Sequence, residues 1–231
     1  IAAEYQDKYD GLIGLVAVDG KIKELFKQLK KDCEISFFTL KDDVGYKTYV
    51  RSATMLFLKS VYDIFGETAA QNCRVEFSVG NGLYINPRQQ FKATPEVAEN
   101  IKRRMCELVE EKIPFLKRSY PLDDAMELFR EHGMKDKERL FRFRRSSFVN
   151  IYELEGYFDY YYGYMLPHTG YVKLFDVISY DEGFMLLLPT KSNPAAVQPF
   201  EERRKLFLTL KESGEWAAKM GLETVGALND R

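Results

Sequence analysis

Apolar positions change their spacing along the chain, and the changes predict a mixture of strands and helices. An uninterrupted apolar run over residues 11–18 has the length of a buried strand, and the Asp-Gly pair that follows it predicts a turn. Residues 21–31 carry apolar side chains at helical spacing, and residues 34–40 alternate as a strand does. These patterns predict a small α/β unit within the first 45 residues.

The middle of the chain is predicted to hold long helices around a hairpin. Residues 47–66 and 95–112 each place apolar side chains on one helical face, and the second segment begins with a proline, which suits a first turn. Gly80-Asn81-Gly82 separates two apolar runs and predicts a β-hairpin. A strand at 115–120 and a helix at 121–133 are expected to follow.

Beyond residue 135 the pattern becomes extended and rich in aromatic and β-branched residues, which is typical of strands. The predicted extended segments are 141–152, 157–164, 171–180 and 184–188, and a charged amphipathic helix is expected over 200–220. Several antiparallel strands with helices on one face indicate an α+β fold.

Charge and cysteine content exclude several classes of protein. The 231 residues carry 34 basic and 35 acidic side chains, a net charge of -1, which excludes a globally basic nucleic-acid binder but leaves room for local patches. No apolar run approaches the roughly 20 residues that cross a bilayer, so no membrane partner and a cytoplasmic location are expected. Cys33, Cys73 and Cys106 form no CxxC pair, so they are expected to be buried free thiols, with no metal site.

Candidate chemistry in the sequence is sparse. No GxxxxGK[ST] stretch is present, so the usual phosphate-cradling loop is absent, and His132 and His168 are expected to have structural roles. A basic run with interleaved phenylalanines could bind nucleic acid, the cations contacting the phosphate backbone and the rings stacking with bases. Its basic members are Arg139, Arg142, Arg144 and Arg145. The alternative is a strand with one solvated basic face.

A family resemblance is carried by motifs whose order and spacing agree. These are Arg51-Ser-Ala-Thr-Met-Leu-Phe-Leu58, Phe77-Ser-Val-Gly-Asn-Gly-Leu-Tyr84, Lys112-Ile-Pro-Phe115, Asp124-Ala-Met-Glu-Leu-Phe129, Asp159-Tyr-Tyr-Tyr-Gly163 and Pro167-His-Thr-Gly170. Together they resemble the second additional domain of threonyl- and alanyl-tRNA synthetases, which removes wrong amino acids from tRNA. Residues 15–40 are similar to the latter part of a TGS domain, a ubiquitin-like module that precedes this domain in threonyl-tRNA synthetases.

Departures from the synthetase pattern indicate that the editing chemistry is lost. In that family an HxxxH motif and a Cys-x-x-x-His motif supply three imidazoles and a thiolate, which bind metal or shuttle protons near neutral pH. The corresponding positions here are Arg51, Met55, Tyr161 and Met165. A guanidinium stays protonated and a thioether binds hard or borderline metals poorly. The four residues are predicted either to form a pocket that binds a nucleobase and a phosphate or carboxylate, or to pack in a closed core.

A closer resemblance is carried by Glu4-Tyr-Gln-Asp-Lys-Tyr-Asp-Gly11, Asp32-Cys-Glu-Ile35, Asp159-Tyr-Tyr-Tyr-Gly-Tyr-Met165 and residues 200–229. These segments are similar to the N-terminal half of bacterial nucleoside kinases of the uridine kinase type, in which these two domains precede a P-loop kinase domain. The resemblance implies a partial TGS unit at 1–45, an editing-like domain at 46–190, and a linker with a helix at 191–231 leading to an absent kinase domain. The start at Ile1 also suggests a piece of a longer chain.

Function is therefore expected to be that of a non-catalytic accessory region of such a kinase. The kinase domain would then be its partner, joined by a nucleoside or nucleotide effector, and a homo-oligomer is compatible with it. No cofactor is expected here, because ATP and Mg²⁺ would bind the absent kinase domain. The alternatives are an RNA- or tRNA-binding module derived from threonyl-tRNA synthetase and, with least support, an active tRNA-editing hydrolase.

Overall fold

The computed structural model describes residues 1–222 and 224–229, which form three antiparallel sheets with helices packed around them. The helices are α1 (Ala2–Tyr5), α2 (Asp43–Phe65), α3 (Glu67–Asn72), α4 (Pro95–Glu111), α5 (Leu122–Glu131), α6 (Lys135–Arg142), α7 (Arg204–Lys219) and α8 (Val225–Asn229). The strands are β1 (Ile13–Val18), β2 (Lys21–Glu24), β3 (Ile35–Thr39), β4 (Arg74–Val79), β5 (Gly82–Asn86), β6 (Leu116–Pro121), β7 (Phe148–Leu154), β8 (Tyr157–Asp159), β9 (Asp176–Tyr180) and β10 (Gly183–Leu187). The predicted α+β class is confirmed.

The N-terminal sheet has the strand order β2-β1-β3, so that the fully buried apolar run of β1 lies in its centre. The helix predicted over residues 21–31 is wrong, because Lys21–Glu24 instead pairs with β1 across the Asp19-Gly20 turn. The apolar spacing that suggested a helix does not correspond to a buried helical face, because Phe26 and Leu29 lie in an irregular segment and are each 40% exposed.

The main core lies between α2 and the central sheet, whose strand order is β4-β5-β10-β9. Phe57 of α2 packs against Phe184 of β10, with 5.9 Å between ring centroids. Buried hydroxyls of α2, such as those of Ser52 and Ser60, donate to the carbonyl four residues earlier, which satisfies each hydroxyl hydrogen within the helix. As a result α2 can be buried on nearly all sides.

A second core lies between the sheet β6-β7-β8 and the helices α5 and α6. Phe129 and Phe141 stack there with 5.3 Å between centroids. The extended segment predicted over 141–152 is therefore wrong at its start, because Lys135–Arg142 is helical and β7 begins only at Phe148. Alternating Arg and Phe imitate the period of a strand, but burial of Phe141 and Leu140 against α5 favours the helix.

Two further extended predictions are too long. Of the predicted segment 157–164, only β8 is a strand, and of 171–180, only β9 is a strand. The loop 160–168, between β8 and the following 3₁₀ turn, is irregular and carries part of the candidate site. Tertiary contacts hold this loop, as described below.

Helix α7 lies over the outer face of the central sheet. Phe207 is fully buried there, with its ring 4.9 Å from those of Tyr84 and Tyr180. Asp230 and Arg231, the end of the predicted 191–231 segment, lie outside the described residues. The domain boundaries predicted from the sequence stay a prediction. Among the described residues no helix has the length and apolarity that crossing a bilayer requires.

Candidate functional site

The four residues predicted from the resemblance come from two elements that the fold holds together. Arg51 and Met55 lie on α2, and Tyr161 and Met165 lie on the loop 160–168. Arg51 Nε donates to the carbonyl oxygen of Tyr164 at 3.0 Å. Ser52, the next residue of α2, accepts a hydrogen bond on Oγ from the Leu166 amide at 2.9 Å. These two bonds fix the loop against the helix.

Both methionines of the candidate site are part of the main core. Met55 and Met165 have no exposed surface, and Met165 Sδ lies 3.9 Å from the hydroxyl of Ser52. Their thioethers therefore fill space between α2 and the loop. Reaching them requires movement of the loop, because nothing in the described conformation leaves them open to solvent.

Tyr161 is buried at its hydroxyl end, close to the carboxylate of Asp159 but without a well-formed hydrogen bond to it. Burial, followed by the negative charge of Asp159, raises the pKa of Tyr161 well above its usual value. The phenol is therefore neutral near pH 7, and it does not act as a base there.

Arg51 is half-buried beneath the backbone of Gly163. A Cβ atom at Gly163 would lie 2.7 Å from the guanidinium carbon, so the absence of a side chain is what lets the loop pass over the arginine. Burial lowers the pKa of Arg51, while Tyr152 and the Glu24 carboxylate act in the opposite direction. The guanidinium remains a cation at physiological pH.

A carboxylate that the sequence patterns did not point to lies beside these residues. Glu24, the last residue of β2, is 2% exposed and accepts hydrogen bonds from the Tyr152 hydroxyl at 2.5 Å and the Met165 amide at 3.2 Å, both on Oε1. Lys117 Nζ lies 3.1 Å from Oε2. The N-terminal sheet thus contributes a buried anion to the candidate site.

The Tyr152 hydroxyl also lies 2.8 Å from the carbonyl oxygen of Gly163. It has a single hydrogen, and the shorter distance and the negative charge favour donation to Glu24. Burial, the hydrogen bond to Glu24 and the charge of Glu24 raise the pKa of Tyr152. The phenol therefore stays protonated and acts as a donor to the carboxylate.

An open cavity of about 320 Å³ lies on the neighbouring face of α2. Its walls include Lys47 and Arg51 from the helix and the Gly80-Asn81-Gly82 turn from the β4–β5 hairpin. Of the four predicted residues only Arg51 lines this cavity, so the predicted group does not form its wall as a unit.

The predicted arginine strip is divided by the fold. Arg139 packs against α8, where a Cβ at Gly226 would lie 2.8 Å from the Arg139 Cβ. Arg144 donates to the Tyr160 hydroxyl, and its guanidinium carbon lies 5.3 Å from the centre of the Phe141 ring. These two arginines are engaged within the protein.

Arg142 and Arg145 have exposed side chains in the same segment, and neither forms an ion pair within residues 1–222 and 224–229. Exposed aromatic rings accompany them: Phe143 is 47%, Phe148 62% and Tyr162 79% exposed. Tyr162 is joined to the segment through Arg144, whose guanidinium carbon lies 5.7 Å from its ring centre. We call these five exposed residues, Arg142, Phe143, Arg145, Phe148 and Tyr162, the Arg–aromatic surface.

The histidines and cysteines are dispersed. His132 contacts Glu67 of α3, and His168 packs against Tyr171 with its Nδ1 buried and unpaired within the described chain. Cys73 is buried as expected, and burial raises the pKa of its thiol to about 12, but Cys106 is exposed, contrary to the prediction. No three potential metal ligands converge within the described residues.

Sequence reasoning missed Glu24, Lys117 and Tyr152. Glu24 stands in a segment whose apolar spacing predicted a helix, and a helix would not have directed it toward β7. Tyr152 and Lys117 face each other across the β6–β7 pairing, a register that only the folded sheet defines. The alternation Lys-Ile-Lys-Glu at 21–24 was the available signal for a strand.

Comparison with known proteins points to one kind of enzyme. A threonine–tRNA ligase of Clostridium kluyveri is 25% identical over 163 residues, which cover 70% of this chain and 25% of the ligase. The Symbiobacterium thermophilum ligase is 29% identical over 163 residues with the same coverage, and that of Aromatoleum aromaticum 29% over 159 residues, 68% of this chain and 24% of the ligase. No family model matches the chain.

The chain spans about a quarter of the length of these curated relatives. The similarity confirms the predicted resemblance to threonyl-tRNA synthetases and fits an editing-like domain in the α+β fold. The TGS unit and the uridine kinase-type parent have no support in the comparisons and stay predictions from the sequence.

Proposed function

We propose that this chain is an RNA-binding module related to threonyl-tRNA synthetases, which contacts tRNA or a tRNA-like RNA without hydrolysing it. One observation carries the proposal: the Arg–aromatic surface exposes three aromatic rings and two cations that have no ion-pair partner among the described residues, in a chain that is similar to threonine–tRNA ligases. Cations bind phosphates, and exposed rings stack with unpaired bases.

The composition of the candidate site supports the non-hydrolytic half of the proposal. Deacylation needs a group that activates water near neutral pH. Arg51 is cationic, Met55 and Met165 are buried thioethers, and the pKa of Tyr161 is raised by burial. None of these side chains is a base or a metal ligand of the required kind.

The test is RNA binding across a salt series, measured by fluorescence anisotropy with a labelled tRNA acceptor-stem RNA that ends in a single strand. Replacing Arg142 and Arg145 by Ala together should weaken binding and lower the salt slope by about 0.7 for each single-strand phosphate that the protein no longer neutralises. Tyr162→Ala should weaken binding by about 1–3 kcal/mol with the salt slope unchanged, because it removes stacking and leaves the charge as it was.

The matched control removes two positive charges elsewhere. Lys205 and Lys219 are exposed on α7, and replacing both by Ala changes the net charge by the same amount as the arginine pair. Equal weakening by both pairs would mean that only overall charge matters, and it would overturn the assignment of the surface. An absence of binding by the wild-type chain at low salt would overturn the proposal itself.

Hydrolysis is tested separately with mischarged tRNA. We expect the chain to release the amino acid no faster than buffer alone, including when zinc is added. Release above the buffer rate that disappears in Tyr161→Phe would favour the editing-hydrolase alternative. The role as an accessory region of a nucleoside kinase, with a nucleoside or nucleotide effector held by Arg51, Met55, Tyr161 and Met165, stays a prediction from sequence resemblance.

A further inference from the structure

A buried carboxylate from the N-terminal sheet lies among donors that all belong to the rest of the chain. Glu24 ends β2, whereas Lys117 lies on β6, Tyr152 on β7 and Met165 on the loop 160–168. Both carboxylate oxygens are used, Oε1 by the Tyr152 hydroxyl and the Met165 amide and Oε2 by Lys117. Arg51 adds a favourable positive charge nearby.

These donors are held in place by contacts other than those to Glu24. Lys117 and Tyr152 face each other across the β6–β7 ladder. The Met165 amide is fixed because the next amide, Leu166, donates to Ser52 of α2 at 2.9 Å. Carboxylates are bound by hydrogen-bond donors and cations that converge on one point, and here a cation, a neutral hydroxyl and a backbone amide do so. The arrangement therefore resembles a preformed receptor into which β2 places its own ligand.

The strand that carries Glu24 is the least supported part of this arrangement. Among residues 1–222 and 224–229, the edge strand β2 of the N-terminal sheet pairs with β1 alone, through four residue pairs. The segment after it is irregular up to β3. Withdrawing Glu24 therefore requires opening a single short ladder, while the strands β6 and β7 and the loop 160–168 that carry the donors keep their own contacts.

We propose that Lys117, Tyr152 and the Met165 amide form a binding site for small carboxylates, and that Glu24 occupies it as an intramolecular ligand. Because the tethered carboxylate competes at the high effective concentration of an intramolecular contact, free carboxylates are excluded from the intact protein. The inference does not rest on RNA binding.

The test is truncation of Glu24 followed by rescue. Glu24→Ala removes the atoms of an acetate ion and leaves the donors unpaired. We expect sodium acetate to raise the thermal midpoint of this variant over sodium chloride of equal ionic strength by roughly 2–4 °C at saturating concentration. Formate should act more weakly, and trimethylacetate, which is too bulky for the space of one carboxymethyl group, should have no effect. Sodium phosphate in the same series tests whether the site accepts a tetrahedral anion, and we expect it to match chloride.

Two controls separate the site from a general effect of salt. Wild-type protein should not distinguish acetate from chloride, because Glu24 fills the site. Glu34→Ala removes an exposed carboxylate from the same sheet unit and should behave like wild type. An equal response in all three proteins, or a Glu24→Ala variant that does not distinguish acetate, chloride and trimethylacetate, overturns the proposal.

Glu24→Gln decides the question if the alanine variant does not fold in either salt. Glutamine keeps the shape and an acceptor oxygen but lacks the charge that Lys117 requires. We expect its unfolding equilibrium constant to increase about tenfold or more, since hydrogen bonds to charged groups are stronger than neutral ones. A Glu24→Gln variant as stable as wild type would show that the donors do not require an anion, and it would overturn the proposal.

Discussion

Gly163 is the point at which the candidate site should be most sensitive to a single added carbon atom. The residue has φ +134°, a conformation that L side chains rarely adopt, and its Cβ would lie 2.7 Å from the Arg51 guanidinium carbon and 2.9 Å from Nη2. Ordinary contacts between carbon atoms are about 3.5–4.0 Å, so Gly163→Ala would bring the two groups roughly 1 Å too close. Arg51 cannot move without breaking hydrogen bonds, because it donates to the Tyr164 carbonyl oxygen and to Thr48 Oγ1.

Two costs then add. Backbone strain at a residue that is no longer glycine is worth about 1–3 kcal/mol, and overpacking about 1–3 kcal/mol. A flexible guanidinium absorbs part of the second cost, so we expect Gly163→Ala to lower the free energy of unfolding by about 2–4 kcal/mol. In a domain of this size that corresponds to a fall in the thermal midpoint of roughly 4–16 °C.

Denaturant unfolding of wild type, Gly163→Ala, Arg51→Ala and the double variant measures this loss in the free energy of unfolding. In the Arg51→Ala background the close contact is gone but the backbone strain remains, so Gly163→Ala should cost about 1–2 kcal/mol less there than in wild type. Gly214 provides the control: it lies in α7 with open space around its Cβ position, and Gly214→Ala should stabilise by about 0.5–1 kcal/mol. A Gly163→Ala variant within about 0.5 kcal/mol of wild type, or an equal cost in both backgrounds, would contradict a steric conflict between Gly163 and Arg51.

Three further changes test other parts of the fold. Gly45→Ala would place a Cβ 2.0 Å from the Thr39 carbonyl oxygen, so it should cost at least about 3 kcal/mol in denaturant unfolding, and a near-neutral result would contradict this packing of α2 on β3. Phe207→Ala should cost about 3–5 kcal/mol and speed proteolysis within α7, whereas Leu208→Ala, exposed on the same helix, should do neither. Burial, followed by the charges of Lys112 and Lys173, lowers the pKa of His168, so the unfolded chain binds more protons and stability should fall as the pH drops through about 6.5. His168→Gln should flatten that part of the stability curve, and an unchanged slope would mean that other groups cause it.

Local pattern was a sufficient guide wherever an element's apolar face and its end signals agreed. The segment around α4 illustrates this, since Pro95 opens its first turn as predicted, and the structure adds a cap in which Thr94 Oγ1 accepts a hydrogen bond from the Val97 amide. The hairpin at Gly80-Asn81-Gly82 likewise needed only its turn residues and two flanking apolar runs.

Local pattern misled where two periods fit the same residues. Ile22, Leu25, Phe26 and Leu29 fit a helix, yet pairing with β1 made residues 21–24 a strand. The Arg-Phe alternation at 141–144 fits a strand, yet burial of Phe141 against Phe129 extended α6 through Arg142. In both places a tertiary contact outweighed a short-range preference, which is the expected result when periodic segments are brief.

Order and spacing along the chain were sufficient for the α+β class, for the resemblance to threonyl-tRNA synthetases, and for the residue types at the four positions that this resemblance assigns to an editing site. Three-dimensional packing was needed to establish that Met55 and Met165 are fully buried, that Arg139 and Arg144 are engaged internally, and that Glu24 lies among Lys117, Tyr152 and the Met165 amide. Those facts depend on strand register and on contacts between residues far apart in sequence, 141 positions in the case of Glu24 and Met165. Burial and electrostatic pairing arise from that proximity, which spacing along one chain does not specify.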